Sequence, residues 1–321
     1  MLTILHGSDL HFGKAFDPEV ADVFRNTVQM AQPDLLVFSG DFTQRAKVRE
    51  YQEAKEYLGG LPDLPTVVTP GNHDVPLYRA WERLFSPLRN YRRYISQELD
   101  TLTRIDGAVV VALNSTAPRR AIVNGHLQDR QLVFAAEAFR SAPADSVKIV
   151  VMHHHLAPAP DYESDQLLSG YQRCLDAFEK MGVELILGGH LHRAFVADSR
   201  DVRPRNPARN PARDPAGDPA ADTERDPGEG AIVISHTGTT TSRRGRARER
   251  NKNSYSLIRI SRDWMEIAHH LFHPREAAFL PVARHVFPRR ARGFLTLGPS
   301  GSEQEANAGG EARQTGKESE Q

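Results

Sequence analysis

Five short groups of residues in this sequence carry side chains that bind metal ions. They are Asp9-Leu10-His11, Gly40-Asp41, Gly71-Asn72-His73-Asp74, His153-His154-His155 and Gly189-His190-Leu191-His192. Carboxylate, amide and imidazole groups of this kind are ligands of divalent cations. Their number suits two ions better than one. The pattern therefore predicts metal-assisted hydrolysis at a binuclear centre.

Each group comes directly after an apolar run that predicts a buried strand. The runs are residues 2–5, 35–38, 66–69, 149–152 and 184–187. Segments with helical spacing lie between them, which indicates a largely parallel sheet covered by helices. Ligands at the strand ends then meet on one edge of the sheet. On an extended strand exit, residues i and i+2 project the same way, so Asp9 can act with His11, and His190 with His192.

The chain after His192 reads as further strands. Residues 194–197, 231–235, 254–260 and 264–271 alternate in polarity and predict a second, mostly antiparallel sheet packed on the first. Asp106-Gly107 predicts a hairpin turn between two earlier strands. We therefore expect an α/β protein, a four-layer αββα sandwich of two mixed β-sheets flanked by helices.

The five groups, in this order, resemble those of the calcineurin-like metallophosphoesterase family, and are most similar to bacterial cyclic-AMP phosphodiesterase-type members. The resemblance runs from Asp9 to His192 and implies the metallo-dependent phosphatase fold. It also implies two ligand sets that share Asp41 as a bridge. The first ion would be held by Asp9, His11, Asp41 and His192, and the second by Asp41, Asn72, His153 and His190.

The same resemblance implies roles for residues beside the ligands. His73 would face the leaving oxygen and assist its departure, and Asp74 would orient or charge the His73 imidazole. His153 is favoured over His154 as the ligand, although Leu156 stands where the family often has proline. Asn114, at the end of another strand, and His73 are candidates for substrate contact. His236 is a candidate for the rim of the site.

Charge counting agrees with a phosphate substrate. Two divalent ions bring four positive charges, Asp9 and Asp41 remove two, and a bridging hydroxide removes one more. The remaining positive charge attracts a phosphate oxyanion and stabilises charge that develops as phosphorus is attacked. The ligands contain no thiolate and admit manganese, iron, zinc or nickel.

We expect attack of the bridging hydroxide on a small phosphodiester, such as a 3',5'-cyclic nucleotide. The alternative within the superfamily is a DNA exonuclease subunit, because residues 4–14 resemble the opening of that branch. A third alternative is a non-catalytic interaction protein that is stabilised by metal.

Overall composition limits the partners. The chain has 41 basic and 41 acidic side chains, so its balance predicts no polyanion partner, and nucleic acid is the less favoured substrate. The arginine-rich run 243–250 is expected to form a loop near the rim of the site or a contact between subunits. The sequence is compatible with a homo-oligomer and does not determine the oligomeric state. The lone Cys174 and the absence of a long apolar run predict a cytoplasmic protein with no membrane segment.

The sequence also predicts the limits of the folded part. One metallophosphoesterase domain is expected over residues 1–297, with a disordered tail at 298–321. Four imperfect copies of a proline-containing tetrapeptide lie in a segment at about 200–230, which is expected to be a disordered insert.

Overall fold

The computed structural model describes residues 1–119, 123–160, 166–202, 231–246 and 249–289. The strands in these ranges are β1 Leu2–Gly7, β2 Leu35–Phe38, β3 Thr66–Val68, β4 Thr101–Ile105, β5 Ala108–Ala112, β6 Val147–Val151, β7 Leu185–Gly188, β8 Phe195–Asp198, β9 Val233–His236, β10 Ser254–Ile260, β11 Trp264–His273 and β12 Ala278–Pro288. The helices are α1 Pro18–Ala31, α2 Val48–Gly59, α3 Ala80–Phe85, α4 Arg89–Tyr94, α5 Asp129–Arg140, α6 Tyr171–Met181 and α7 Ser199–Val202, with a 3₁₀ helix at Asn72–Asp74.

The strands form two mixed sheets of six strands each. The first has the order β12-β11-β10-β1-β2-β3, and the second has the order β4-β5-β6-β7-β9-β8. In the first sheet β1, β2 and β3 are parallel, while β10 to β12 run antiparallel to their neighbours. In the second sheet β5, β6, β7 and β9 are parallel. The carboxyl ends of both parallel groups carry the polar groups of the sequence.

Three apolar clusters show the order of the layers. The central cluster lies between the sheets and joins residues such as Ile4, Val37, Val110 and Ile149, all fully buried. A second cluster packs the first sheet against α1 and α2, and a third packs the other sheet against α5 and α6. The arrangement is the predicted αββα sandwich.

The division of strands between the sheets differs from the prediction. The five strands expected in one parallel sheet are divided, with β1, β2 and β3 in the first sheet and β6 and β7 in the second. Strands β8 and β9 extend the sheet of β5 to β7, and β10 to β12 pair with β1 instead of forming a separate antiparallel sheet. The prediction also had no strand at Ala278–Pro288. Alternating polarity indicates that a segment is a strand, but it does not identify the neighbour that the strand will pair with. The wrong division of the strands follows from that limit.

Local sequence explains where helix α1, which connects the parallel strands β1 and β2, begins and which face it buries. Asp17 caps α1 by accepting a hydrogen bond of 3.5 Å from the Val20 amide, and Pro18 starts the helix. The face that contains Val20, Phe24 and Val28 packs on the first sheet.

The predicted hairpin lies away from the polar groups. The Asp106-Gly107 turn is present between the antiparallel strands β4 and β5. Cys174 is buried. Most of the predicted insert at 200–230 and all of the predicted tail lie outside the described residues. The insert, the tail and the limits of the domain stay predictions.

Candidate metal centre

Four predicted ligands lie together at the carboxyl ends of β1, β2 and β7. Ligand atoms of Asp9, His11, Asp41 and His192 all lie within 4.8 Å of one another, and the four residues are buried. Nε2 of His192 is 3.1 Å from Oδ1 of Asp9, and Nε2 of His11 is 3.6 Å from the same oxygen. These distances leave one small space surrounded by carboxylate and imidazole groups.

The remaining predicted ligands lie on the other side of Asp41. Oδ1 of Asn72 is 3.1 Å from Nε2 of His153 and 2.9 Å from Nδ1 of His190. Oδ2 of Asp41 is 3.4 Å from Nε2 of His153 and 3.6 Å from Nε2 of His11. One oxygen of Asp41 therefore faces both groups of side chains.

Most of these residues have an unusual backbone conformation. Asp9, His11, Asp41, His190 and His192 have φ values of 54°, 49°, 56°, 73° and 54°. This left-handed region is uncommon for residues other than glycine, and it concentrates at functional sites. The side chains of Asp9 and His11 therefore do not converge because of an extended strand exit, as the sequence suggested. They converge because the chain turns at both residues.

Neighbouring segments hold the loop after β1 in this conformation. The amides of Asp9 and His11 donate to the carbonyl oxygens of Gly40 and Asp41, at 3.0 and 2.9 Å. The hydroxyls of Thr239 and Thr241 donate to the carbonyl oxygens of Asp9 and Leu10, at 2.7 and 3.0 Å. The sequence did not indicate these buried threonines, because they lie more than 200 residues away and have no spacing typical of a metal site.

Two glycines allow the ligand loops to approach each other. A Cβ atom on Gly71 would lie 2.2 Å from Oδ1 of Asp41, and one on Gly189 would lie 1.9 Å from Oγ of Ser8 and 2.6 Å from Oδ2 of Asp9. No side chain fits at either position without displacing the acidic residues. Glycine is therefore required there for close packing of the centre.

Backbone carbonyl groups fix the orientation of two histidines. Nδ1 of His153 lies 2.7 Å from the carbonyl oxygen of Ser39, and Nδ1 of His192 lies 2.8 Å from that of Arg244. A carbonyl oxygen can only accept, so each Nδ1 carries a proton, and each Nε2 is the nitrogen that faces the carboxylates and can bind a metal ion. Histidines that bind metal are commonly held in this way.

The electrostatics of the cluster favour positive charge between the carboxylates. Burial alone would raise the pKa of Asp41, but His153, followed by His73 and His11, holds it below its usual value. Burial opposes charge on His153, yet Asp41, followed by Asp9, raises its pKa to about 9. Burial lowers the pKa of His11 to about 3, which keeps that imidazole neutral, as a ligand must be.

Two buried oxygen atoms in the cluster have no hydrogen-bond partner among the described residues. They are Oδ1 of Asp9 and Oδ2 of Asp41. A buried carboxylate oxygen without a partner is strongly unfavourable, unless a cation compensates it. Their positions, facing the imidazoles, fit divalent metal ions.

His73 and Asp74 lie beside the cluster, but they do not interact as predicted. Nδ1 of His73 lies 2.9 Å from the carbonyl oxygen of Gln44. The Asp74 carboxylate accepts from the amides of Gly71, Phe42 and Thr43 and from the Thr43 hydroxyl, at 3.0 to 3.2 Å. Burial, followed by the charge of Asp41, raises the pKa of Asp74 to about 7, although these amides lower it.

The prediction that Asp74 orients the His73 imidazole is therefore wrong. The turn at Asn72–Asp74 points the carboxylate back toward the loop after β2, where the amides of Phe42 and Thr43 need an acceptor, and the amide of Gly71 donates to it as well. Asp74 instead joins the two loops that carry Asp41 and Asn72.

Asn114 is not brought into the cluster. Its side-chain oxygen accepts from the amide and the hydroxyl of Thr116, at 3.0 and 2.7 Å, which closes a local turn. The next residue, Ser115, does reach the histidines, because its Oγ lies 2.8 Å from Nδ1 of His154. His154 thus points toward Ser115, while His153 points toward Asp41.

His236 is buried and does not line an exposed rim. Its Nδ1 lies 3.1 Å from the carbonyl oxygen of Gly189, and its ring stacks on Phe195 at 4.7 Å. Burial is the main cause that lowers its pKa to about 4. His236 therefore packs inside the protein and supports the loop at Gly189 through this hydrogen bond.

An open cavity of about 200 Å³ lies next to the cluster, and we call it the His73 cavity. It is lined by Gln44, Arg45, His73, Leu77, Tyr78 and Arg244. The guanidinium group of Arg45 lies over the Tyr78 ring, 5.2 Å from its centre. The arginine-rich run of the sequence thus reaches the site, as predicted, through Arg244.

Comparison with known proteins agrees with these features. A model of the calcineurin-like phosphoesterase family matches residues 2–194. Over 206 residues the chain is 27% identical to a "probable cyclic nucleotide phosphodiesterase" of Synechococcus, covering 61% of this chain and 75% of that protein. Over 165 residues it is 27% identical to a "probable glycerophosphodiester phosphodiesterase GpdQ" of Arcobacter nitrofigilis, covering 50% and 58%.

A purple acid phosphatase from yellow lupin seeds has a similar fold. The TM-score is 0.63 at 9% identity, and the match covers 91% of this chain and 54% of the lupin protein. The chain thus spans about half the length of that phosphatase.

Of the helices described, none combines the length and apolar composition needed to cross a bilayer.

Proposed function

The chain belongs to the calcineurin-like phosphoesterase family, a family of metal-dependent phosphoric ester hydrolases, and on this basis we propose that it hydrolyses a small phosphodiester at a binuclear centre. The observation that carries the proposal is the position of Asp41. Its buried Oδ2 has no hydrogen-bond partner among the described residues and faces both groups of side chains.

We assign the two groups to two ions. Asp9, His11, Asp41 and His192 would hold one ion, and Asp41, Asn72, His153 and His190 would hold the other. Manganese, iron, zinc and nickel all suit this combination of oxygen and nitrogen ligands. When bound, the ions would supply Lewis acidity and a hydroxide nucleophile at neutral pH.

The residues of the chain would then position the ester and assist its cleavage. His73 lies at the boundary between the cluster and the His73 cavity, and its Nδ1 is directed to the Gln44 carbonyl. Its other ring nitrogen is the one that can serve a substrate. In the cationic form, that nitrogen would donate a proton to the departing alkoxide oxygen.

A 3',5'-cyclic nucleotide is the substrate that we favour. The relative from Synechococcus carries that activity in its name, and the His73 cavity is small and open beside the cluster. The relative from Arcobacter nitrofigilis is named for a different diester, so the two names agree on small phosphodiesters and differ in the ester group. Such a substrate also fits a location in the cytoplasm.

Rates with added manganese across four substrates test the proposal. They are cyclic AMP, a bis-aryl phosphodiester, a phosphomonoester and linear DNA. We expect cleavage of the two small diesters, with cyclic AMP preferred over the monoester and over DNA. Preferred cleavage of DNA would replace the proposal with a nuclease function. No cleavage of any substrate by a metal-loaded protein would favour a non-catalytic role.

A further inference from the structure

Arg244 connects the metal centre to the His73 cavity. Its carbonyl oxygen accepts a hydrogen bond of 2.8 Å from Nδ1 of His192, and its side chain lines the cavity together with His73. The backbone of Arg244 is thus hydrogen-bonded to a proposed metal ligand, His192. Its side chain lies where a substrate would enter.

The loop that carries Arg244 is held on several sides. The amide of Arg243 donates to the carbonyl oxygen of Ala15 at 2.8 Å, and that of Arg246 donates to His192 at 3.2 Å. A Cβ atom on Gly245 would lie 1.9 Å from the carbonyl oxygen of Glu249. These contacts hold the backbone at Arg244 beside the His73 cavity.

The charge of Arg244 has no anionic partner in the part of the chain that the structure describes. Its neighbour Arg243 differs, because Nε of Arg243 donates to Oδ2 of Asp17 at 2.9 Å. Arg244 is half-buried and lines the His73 cavity together with Arg45. A half-buried cation beside another arginine is unfavourable without an anion.

Metal ions would increase this need for an anion. Ions bound by Asp9 and Asp41 would neutralise the charge of these two carboxylates, which lie beside the cavity. We propose that Arg244 binds a non-bridging oxygen of the substrate phosphate, with Arg45 as a second cation in the same cavity. This inference rests on the proposed phosphodiesterase function.

A guanidinium group suits this role for two reasons. Its planar set of donors matches the geometry of phosphate oxygens. Charge on those oxygens also grows as the hydroxide attacks phosphorus, so the contact is stronger in the transition state than in the bound substrate. Removal of the guanidinium should therefore lower turnover as well as binding.

Three variants separate this role from others on the same loop. Arg244→Gln removes the charge, Arg244→Lys keeps it without the planar donors, and Arg243→Gln is the matched control beside it. With cyclic AMP and manganese we expect kcat/KM of Arg244→Gln to fall about 10²–10³-fold, as for other lost donors of this kind. Arg244→Lys should recover part of the loss, and Arg243→Gln should match the unchanged protein. Bound metal should be equal in all of them, because the substitutions keep the Arg244 carbonyl.

Binding of inorganic phosphate to the metal-loaded protein gives a second measurement, by calorimetry. We expect Arg244→Gln to weaken it about 10- to 100-fold, the range for a lost charged hydrogen bond. If the unchanged protein cleaves diesters and Arg244→Gln equals it in both measurements, the inference is overturned while the proposed function stands. Loss of metal from Arg244→Gln would also overturn it, since Arg244 would then support His192. If the unchanged protein cleaves no diester, the proposed function fails, and phosphate binding still decides the role of Arg244.

Discussion

The backbone amide of His73 donates a hydrogen bond of 2.7 Å to Oδ1 of Asp41. This contact fixes one oxygen of the carboxylate and leaves Oδ2, which is buried and has no hydrogen-bond partner among the described residues, facing His11 and His153. A single carboxylate oriented in this way can contact two cations at once. The proposed binuclear centre depends on this orientation.

The substitution Asp41→Asn tests the bridge. The oxygen of the new amide could still accept the His73 N–H, but its NH₂ group would take the place of Oδ2 and has no lone pair for a cation. We expect the variant to lose both ions and all metal-dependent hydrolysis. Elemental analysis with rate measurement checks this, with the exposed substitution Asp63→Asn as control. Two bound ions at full occupancy and normal turnover would refute the bridging assignment.

The identity of the clustered residues could be predicted from the sequence, but not how the backbone presents them. Strand ends in a parallel sheet meet on one edge, which explains why the groups at Asp9 and Asp41 lie close together. His190 follows a strand of the other sheet, and its amide donates to Oδ2 of Asp9 at 3.0 Å. The left-handed backbone at these residues had no local signal, because it depends on distant partners such as Thr239. The direction of the Asp74 carboxylate likewise depends on amides of another loop.

The pairing of the strands shows the same limit. Strands β1, β2, β6 and β7 lie where their apolar runs indicated, but they belong to two different sheets. The partner of β10 could not be read from the sequence, because it pairs with the distant strand β1 and places Ile260 opposite Leu2. The sequence showed Arg244 only as part of a basic run. Its position at the His73 cavity depends on a hydrogen bond with the distant His192, which the sequence does not reveal.

Substitution of His73 by alanine tests its assistance to the leaving group. Metal content should not change, because Asn72 and not His73 is the proposed ligand. We expect turnover of cyclic AMP, which has an alkoxide leaving group, to fall about 10²–10⁴-fold. An activated aryl diester should lose less, because its leaving oxygen needs little help from a proton. Equal losses on the two substrates would contradict proton donation and favour charge stabilisation.

The substitution Asp74→Asn tests whether the Asp74 carboxylate joins the two ligand loops or orients the His73 imidazole. The Asp74 carboxylate is surrounded by donors, so an amide NH₂ there would face other N–H groups. We expect a loss of about 1–3 kcal/mol in the free energy of unfolding of the metal-free protein, measured with denaturant. Unchanged stability, with a loss of turnover confined to alkoxide leaving groups, would instead restore the orienting role.

A pair of glycine substitutions tests the close approach of the loops. Gly189→Ala places a methyl group 1.9 Å from Oγ of Ser8 and 2.6 Å from Oδ2 of Asp9, so the centre must shift and metal binding should weaken. Gly59→Ala, at the last residue of α2, is the matched control, because no atom beyond its chain neighbours and the adjacent helix backbone lies within 4 Å of the added Cβ. It should leave metal binding unchanged and stabilise the helix by up to about 1 kcal/mol. Equal metal affinity in the two variants, measured by titration, would contradict the packing argument.

Titration of the metal-free protein with Mn²⁺, followed by the rate of cyclic AMP hydrolysis, tests the central claim most directly. The ligand geometry predicts no hydrolysis without metal and a rate that rises until two ions are bound per chain. Full activity with one ion per chain, or hydrolysis by the metal-free protein, would contradict a binuclear phosphodiesterase.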